Sequence, residues 1–430
     1  MAQSRNIDRV GLIRSSKNSS AAPAAVRFET LDSWRGICAL LVAMMHFPAS
    51  GMIGESPFVR GAYLFVDYFF VLSGFVIAHG YGAKINHGSD FARFAILRFG
   101  RIYPLHVAVL LLFVGYELMR LAVPVLRGQG AEPFSAGNTL AELTSSLFLL
   151  NGIGVDDRLA WNGPSWSISA EFWTYLLFGA AVLVFRGRAW LALLPAVVVG
   201  PVVLYYRSPD FMNATWDLGF VRCVYGFALG TLLHRLVTAW GIGASGRRIR
   251  QPGEQATWTI VELGAVAAVV AFVVLAADNA ASIAAPFVFA LALCAFVLER
   301  GLVSRLLKTP AFLWLGALSY GIYMVHIFVQ GRMINVASVM EKVTGLDLVG
   351  DFVMHGQAHY GFGVAGGLFG TAMLALMVVL VVVAALIVHV LVERPFQRLS
   401  KRLAAGARMG PVASPRSLQP LAGGAGTPRF

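Results

Sequence analysis

The chain has 430 residues, 57% hydrophobic and 13% charged, where soluble domains run at about 45–50% and about 25%. Mean hydropathy is +0.70, and the apolar residues come in blocks of about 20, the length that crosses a bilayer as a helix. A disordered chain, a secreted globular domain and a nucleic-acid binder are excluded, because the net charge of +12 sits at the ends of apolar blocks rather than on a face that could track phosphates.

Residues 1–30, with Arg5, Arg9, Arg14, Lys17 and Arg27 among Ser and Ala, lack the apolar core and cleavage site of a signal peptide and read as a retained basic tail. Ten helices are predicted near 31–52, 61–80, 102–122, 165–185, 189–206, 218–240, 257–277, 281–299, 312–331 and 364–392. The stretch 138–150 is too short to cross about 30 Å of hydrocarbon and reads as a re-entrant or outer-face helix. Basic residues in the 81–101 loop, the Arg186/Arg188 turn, the 241–256 loop (Arg247, Arg248, Arg250), the 300–311 turn and both tails fall on one face of this path. The positive-inside rule then puts both termini in the cytoplasm. Residues 397–430, rich in Ala, Gly, Pro and Arg, read as a disordered basic tail. The expectation is an all-α polytopic membrane protein, with a transmembrane domain at 31–396 between two cytoplasmic tails. Cys38, Cys223 and Cys294 are odd in number and lack CxxC spacing, so neither disulfides nor zinc are expected. Gly226–Gly230 and Gly366–Gly370 read as helix-packing contacts.

Chemistry is sought among ionisable residues at membrane depth, which are costly there unless paired or hydrated. In the first helix Asp32, Arg35 and His46 stand out. Arg35 and His46 are three turns apart on one face, about 16 Å along the axis. A snorkelling cation explains Arg35 alone, and an interhelical hydrogen bond explains His46 alone; a titratable imidazole on the face of a cation also suits acid–base chemistry. Next comes Arg98-Phe-Gly-Arg101-Ile-Tyr103-Pro104-Leu-His106, whose two arginines share a helical face and can clamp phosphates. Ser165-Trp166-Ser167-Ile-Ser169-Ala-Glu171 puts a carboxylate inside the fourth span, where it needs a partner. Ser319-Tyr320-Gly-Ile-Tyr323-Met-Val-His326 adds hydroxyls and an imidazole to the ninth. Glu393-Arg394-Pro395 closes the tenth, where it can stop the helix and stitch it to a neighbour.

Taken with Phe69-Phe-Val-Leu-Ser-Gly-Phe75, these segments resemble the acyltransferase-3 family of integral membrane acyltransferases over about 30–396. The resemblance implies ten helices and transfer of an acyl group, most often acetyl, from acyl-CoA to a hydroxyl of a surface glycan or glycolipid such as lipopolysaccharide or exopolysaccharide. It implies an essential Arg35 and His46 and a cytoplasmic pair, Arg98 and Arg101. Ala170 departs from the Val usual in the family's Ser-Trp-Ser-x-Ser-Val-Glu run.

On this reading Arg98, Arg101, Tyr103 and Arg35 hold acyl-CoA, a donor substrate rather than a resident cofactor. His46 is the general base, and Glu171 or Asp32 orients it. Ser167, Trp166, Tyr320, Tyr323 and His326 lie near the substrate or the oxyanion. With no GxSxG elbow or reactive cysteine, direct transfer is favoured; an acyl-His46 relay stays open. His355 and His359 lack a further ligand, so no metal is expected. The partners are acyl-CoA, the acceptor and the lipid of a bacterial inner membrane, not nucleic acid; oligomeric state is open. Two alternatives stand beside it: a transporter or glycolipid flippase, and a membrane-bound O-acyltransferase with His326 as its histidine.

Overall fold

A computed structural model describes residues 28–123, 132–240, 253–354 and 356–406. The first 27 residues, the Arg247–Arg250 cluster, His355 and the tail from 407 lie outside them. Each of the ten apolar blocks folds as a helix, and a short helix is added between the third and fourth. In chain order these are α1 (Glu29–Met45), α2 (Phe65–Tyr81), α3 (Gly88–Ala122), α4 (Leu140–Leu147), α5 (Trp166–Phe185), α6 (Ala189–Arg207), α7 (Gly219–Ala239), α8 (Glu254–Ala276), α9 (Ala285–Val297) and α10 (Pro310–Thr344). A hairpin of β1 (Gly350–Met354) and β2 (Gln357–Gly361) follows, then α11 (Gly367–Val388) and α12 (Arg394–Gly406). Among the described residues, eight helical segments are long and apolar enough to cross a membrane; the segment 163–207 holds both α5 and α6. The chain is an all-α polytopic membrane protein.

Several boundaries differ from the sequence reading. α1 stops at Met45 rather than near 52, since Pro48 disfavours helix in the residue before it. α3 begins at Gly88, not 102, because Asp90 accepts from the backbone N–H groups of Asn86 and His87, each at 3.0 Å, and caps a helix that the charge-rich sequence masked. At 35 residues it is roughly 50 Å long and must project beyond the hydrocarbon. Arg98 and Arg101 therefore sit on a helix rather than at a loop junction. α10 also runs on, to Thr344, and β1 pairs with β2 antiparallel with Gly350 opposite Gly361. α4 has 8 residues and crosses nothing.

The C-terminal reading changes most. Pro395 does not end the chain's last helix: a π turn at His389–Glu393 redirects it, and Pro395 is tolerated in the first turn of the helix that follows. Residues 397–406, expected as the start of a disordered tail, belong to α12. Arg394 donates to His389 Nε2 at 3.1 Å and lies over the Trp314 ring at 5.7 Å, so the neighbour to which this segment is stitched is α10.

The bundle is organised by α1 packed on α10 and α2 packed on α7, with α10 also against α11 and α12 lying across α3. The α1–α10 crossing is a backbone contact. A Cβ on Gly316 would stand 2.3 Å from the Asp32 carbonyl, and one on Gly36 would stand 2.6 Å from the Leu315 carbonyl carbon. Small residues at such crossings let two backbones touch. Gly226 and Gly230 face α2 in the same way. Gly366 does not; it lies just outside α11 with φ of +91°, and Gly370 meets the Ser50 carbonyl instead of a helix.

Candidate functional site

At the end of the bundle where α1 begins, α3 and α12 enclose a cavity of ≈ 410 Å³ lined by Tyr81, Arg93, Leu97, Arg98, Arg101, Gln397, Ser400 and Lys401. The spacing Arg98-Phe-Gly-Arg101 explains it. Gly100 lets α12 lie flush on α3, since a Cβ there would fall 2.2 Å from Ser400 Cβ, and the arginines on either side then face the cavity. Arg98 donates to the Tyr81 hydroxyl at 3.2 Å with its guanidinium over that ring, and Arg98 Nε is buried without a partner. The cavity holds four cationic side chains and no carboxylate, which suits a polyanion. Lys401 and Arg93 do not stand out in the sequence, where composition places one in a disordered tail and the other in a loop.

Tyr103 is not in this cavity. It stacks on Phe99 with centroids 4.2 Å apart, while His106 donates from Nε2 to the Ser146 carbonyl at 2.8 Å and anchors the segment after α3. The residues between Arg98 and His106 thus serve three purposes rather than one.

Further in, Arg35, Ser73, Ser167, Glu171, Ser319, Tyr320 and Tyr323 line a chamber of ≈ 60 Å³ together with the apolar Val66, Phe69, Phe70 and Ile168. The predicted Arg35, Glu171, Ser167, Tyr320 and Tyr323 therefore converge from α1, α5 and α10. A chamber this small does not admit a pantetheine arm in the present conformation. Glu171 has the partners its depth demands: its carboxylate accepts from Ser73 Oγ and from the Tyr175 hydroxyl, the latter at 2.5 Å. Arg35 lies 3.5 Å from Asp32. The hydroxyls are already engaged. Tyr320 donates to the Ile102 carbonyl at 2.6 Å, while Ser167 and Tyr323 pair at 2.7 Å and both reach the Pro164 carbonyl at 3.0 Å.

Tyr323 joins the chamber to the imidazoles. Its backbone carbonyl accepts from His326 Nδ1 at 2.6 Å, and His326 Nε2 lies 3.3 Å from His46 Nδ1, which also faces the Val42 carbonyl at 2.9 Å. His326 is fully buried, whereas His46, capping α1, is exposed. Asp32 lies about four turns from His46 on the same helix, and Glu171 is bound to Ser73 and Tyr175, so neither touches the imidazole they were expected to orient. His326 does. His359, in β2, is remote from the pair along the chain and packs by Phe352; no group of three or more potential metal ligands occurs among the described residues.

Trp166 is elsewhere. It is buried against the Arg222 guanidinium, 5.4 Å from its ring. Arg222 grips Asp67 through Nε–Oδ1 at 2.9 Å and Nη2–Oδ2 at 2.8 Å, and also donates to the Ala214 and Tyr63 carbonyls. The sequence reading missed this pair. Its signal was an acid, Asp67, and an arginine, Arg222, inside separate apolar blocks.

Comparison with known proteins identifies the family. A family model described as "Acyltransferase domain" matches residues 28–394. The chain is 26% identical over 416 residues to "Acyltransferase MdmB" of Streptomyces mycarofaciens, covering 88% of this chain and 94% of that protein. It is 32% identical over 192 residues to "Protein 2 in picA locus" of Rhizobium radiobacter, covering 43% of this chain and 96% of that one. No solved structure matches. With the family model spanning every helix from α1 to the start of α12, the chain belongs to this acyltransferase family and is a multi-pass membrane acyltransferase.

Proposed function

We propose that the protein moves an acyl group, acetyl in the simplest case, from acyl-CoA to a hydroxyl of a surface glycan or glycolipid at a bacterial inner membrane, with His46 as general base. One observation carries this reading: polar groups form a line through the apolar bundle, from the Arg98/Arg101/Lys401 cavity, past Arg35 and Glu171, to His326 and His46. A cationic cavity suits the phosphates of CoA, and the pantetheine arm is long enough to carry a thioester inward. The positive-inside rule makes the cationic end cytoplasmic, where acyl-CoA is made. Arg35 and the Glu171 cluster line the passage, which opens by movement of side chains between α1, α5 and α10. His46, exposed at the far end of α1, meets the acceptor.

The transfer needs no covalent enzyme intermediate. As the acceptor oxygen attacks the thioester carbonyl, its proton passes to His46; the C–S bond then breaks and the CoA sulfur takes that proton back. A transporter or flippase has no use for a cationic cavity on the axis of an imidazole pair of which one ring is buried and the other exposed. The test is release of CoA from acetyl-CoA, with sugar acceptors, by purified wild type and His46→Ala. Wild type should turn over, and His46→Ala should bind the donor without transferring. Failure of both proteins to bind acetyl-CoA would return the arginines to the role of positive-inside charge.

A further inference from the structure

Hydrogen-bond directions at the two imidazoles form a consistent set. His326 Nδ1 stands 2.6 Å from the Tyr323 carbonyl, and a carbonyl only accepts, so that nitrogen carries a hydrogen. In the neutral ring His326 Nε2 is then a lone pair. That lone pair faces His46 Nδ1 at 3.3 Å, and Nδ1 also faces the Val42 carbonyl at 2.9 Å. Two acceptors meet one nitrogen, so His46 Nδ1 must be the donor. The hydrogen of a neutral His46 is thereby fixed on Nδ1, and its lone pair is on Nε2, the nitrogen for which the structure gives no bond.

We infer that His326 is a positioning residue that holds His46 as the Nδ1–H tautomer and presents the basic Nε2 to the acceptor hydroxyl. The tautomer assignment stands on geometry alone; its use in catalysis rests on the acyl-transfer reading above. The Val42 carbonyl is the nearer acceptor, at 2.9 Å, and also takes the backbone N–H of His46 at 3.3 Å, but it lies on His46's own helix and ties the ring to that helix alone. His326 supplies the second acceptor, from a different helix, and so fixes the rotation of the ring. When Nε2 takes the hydroxyl proton, the imidazolium keeps its Nδ1–H between two acceptors, and hydrogen bonds from a charged donor are the stronger ones. His326 neither gains nor loses a proton in the cycle. The orienting part that a carboxylate commonly plays beside a catalytic histidine is here taken by a second, neutral histidine, suited to a depth at which an unpaired charge is costly.

The test separates the contact from the reaction. His326→Leu removes the acceptor, and His326→Gln offers Oε1 in place of Nε2. In ¹⁵N spectra of histidine-labelled protein, assigned with His46→Ala, the wild type should show His46 protonated at Nδ1 and bare at Nε2, and H326L should shift towards the Nε2–H form. With acetyl-CoA as donor and octyl glucoside as hydroxyl acceptor, H326L should lose about 100-fold in kcat at unchanged KM for acetyl-CoA, and H326Q should recover to within about tenfold of wild type. An Nε2–H form in the wild type overturns the inference. So does wild-type turnover in H326L, or an H326Q no better than H326L. A wild type that shows the tautomer yet transfers nothing removes the acyl-transfer reading and leaves the histidine contact standing.

Discussion

Arg93 Nη1 donates to the Ala404 carbonyl at 2.8 Å, pinning α12 across the first half of α3. Through that contact a helix that follows all the membrane spans contributes Gln397, Ser400 and Lys401 to the cavity of Arg98 and Arg101. A cationic side chain on a phosphate makes a charge-assisted bond worth about 1.5–3 kcal/mol. Lys401→Ala is therefore expected to raise KM for acetyl-CoA about tenfold or more while leaving kcat at saturation close to wild type. Steady-state kinetics on the purified variant decide it, and an unchanged KM would place the phosphates away from α12.

Glu171 offers a cleaner separation of charge from structure. Its Oε1 accepts from both Ser73 and Tyr175, and the amide oxygen of Gln can do the same. Glu171→Gln should keep the hydrogen bonds, and so the thermal midpoint, within a few degrees. The charge facing the Arg35 side of the chamber is lost, and turnover is expected to fall by about tenfold or more. Unfolding followed in detergent beside the rate assay reads both. A variant as active as wild type would make Glu171 a structural anchor between α2 and α5.

How much of this was legible in the sequence follows a physical division. Each of the ten apolar blocks forms a helix, because a bilayer imposes a length and a composition that survive without knowledge of neighbours. The convergence of Arg35, Glu171, Tyr320 and Tyr323 could be suspected because each is costly alone at depth. Partnerships were not legible. Glu171, expected to orient His46, holds two hydroxyls instead, and His326, expected near the substrate or the oxyanion, makes a contact with His46 that the sequence does not announce. Those pairings depend on which helices cross, and the α1–α10 crossing is set by two glycines whose spacing within either helix is unremarkable. α12 was misread because its first turn contains Pro395 and its polar face matches the composition of a disordered tail.

The Asp67–Arg222 pair should behave as scaffold. Both side chains are buried, at 0% and 1% exposure, and every Arg222 nitrogen has an acceptor. Removing one partner strands the other charge, at a cost of about 3–5 kcal/mol. Asp67→Leu alone is therefore expected to lose most of its folded yield, and Arg222→Met alone likewise. The double variant places two apolar side chains of similar size in the gap and should recover much of that loss. Size-exclusion profiles and thermal midpoints of the three variants measure the coupling, and recovery of acyl transfer in the double variant would show that the pair takes no part in chemistry. Equal losses in all three would instead give the charges a role that packing cannot replace.

Gly316 tests whether the spacing of α1 and α10 governs the histidine pair. The first helix carries Arg35 and leads to His46, and the second carries Tyr320, Tyr323 and His326. A side chain at Gly316 meets backbone, the Asp32 carbonyl at 2.3 Å and the Ser33 nitrogen at 3.0 Å, so no rotamer change can relieve it. Gly316→Val must push the helices apart, at about 1–3 kcal/mol for overpacking. Because the glycine lies near the Arg35 end, α1 would tilt as a rigid rod and displace His46 from His326. A drop in kcat of about tenfold or more is expected beside the lowered thermal midpoint. Gly331→Ala, on the same helix with open space around its Cα, is the control. It relieves a helical glycine and should leave kcat unchanged. If G316V lowers stability but keeps wild-type turnover, the two imidazoles are held by something other than this crossing, and the loop from His46 to Ser50, packed on Phe362, becomes the element to probe.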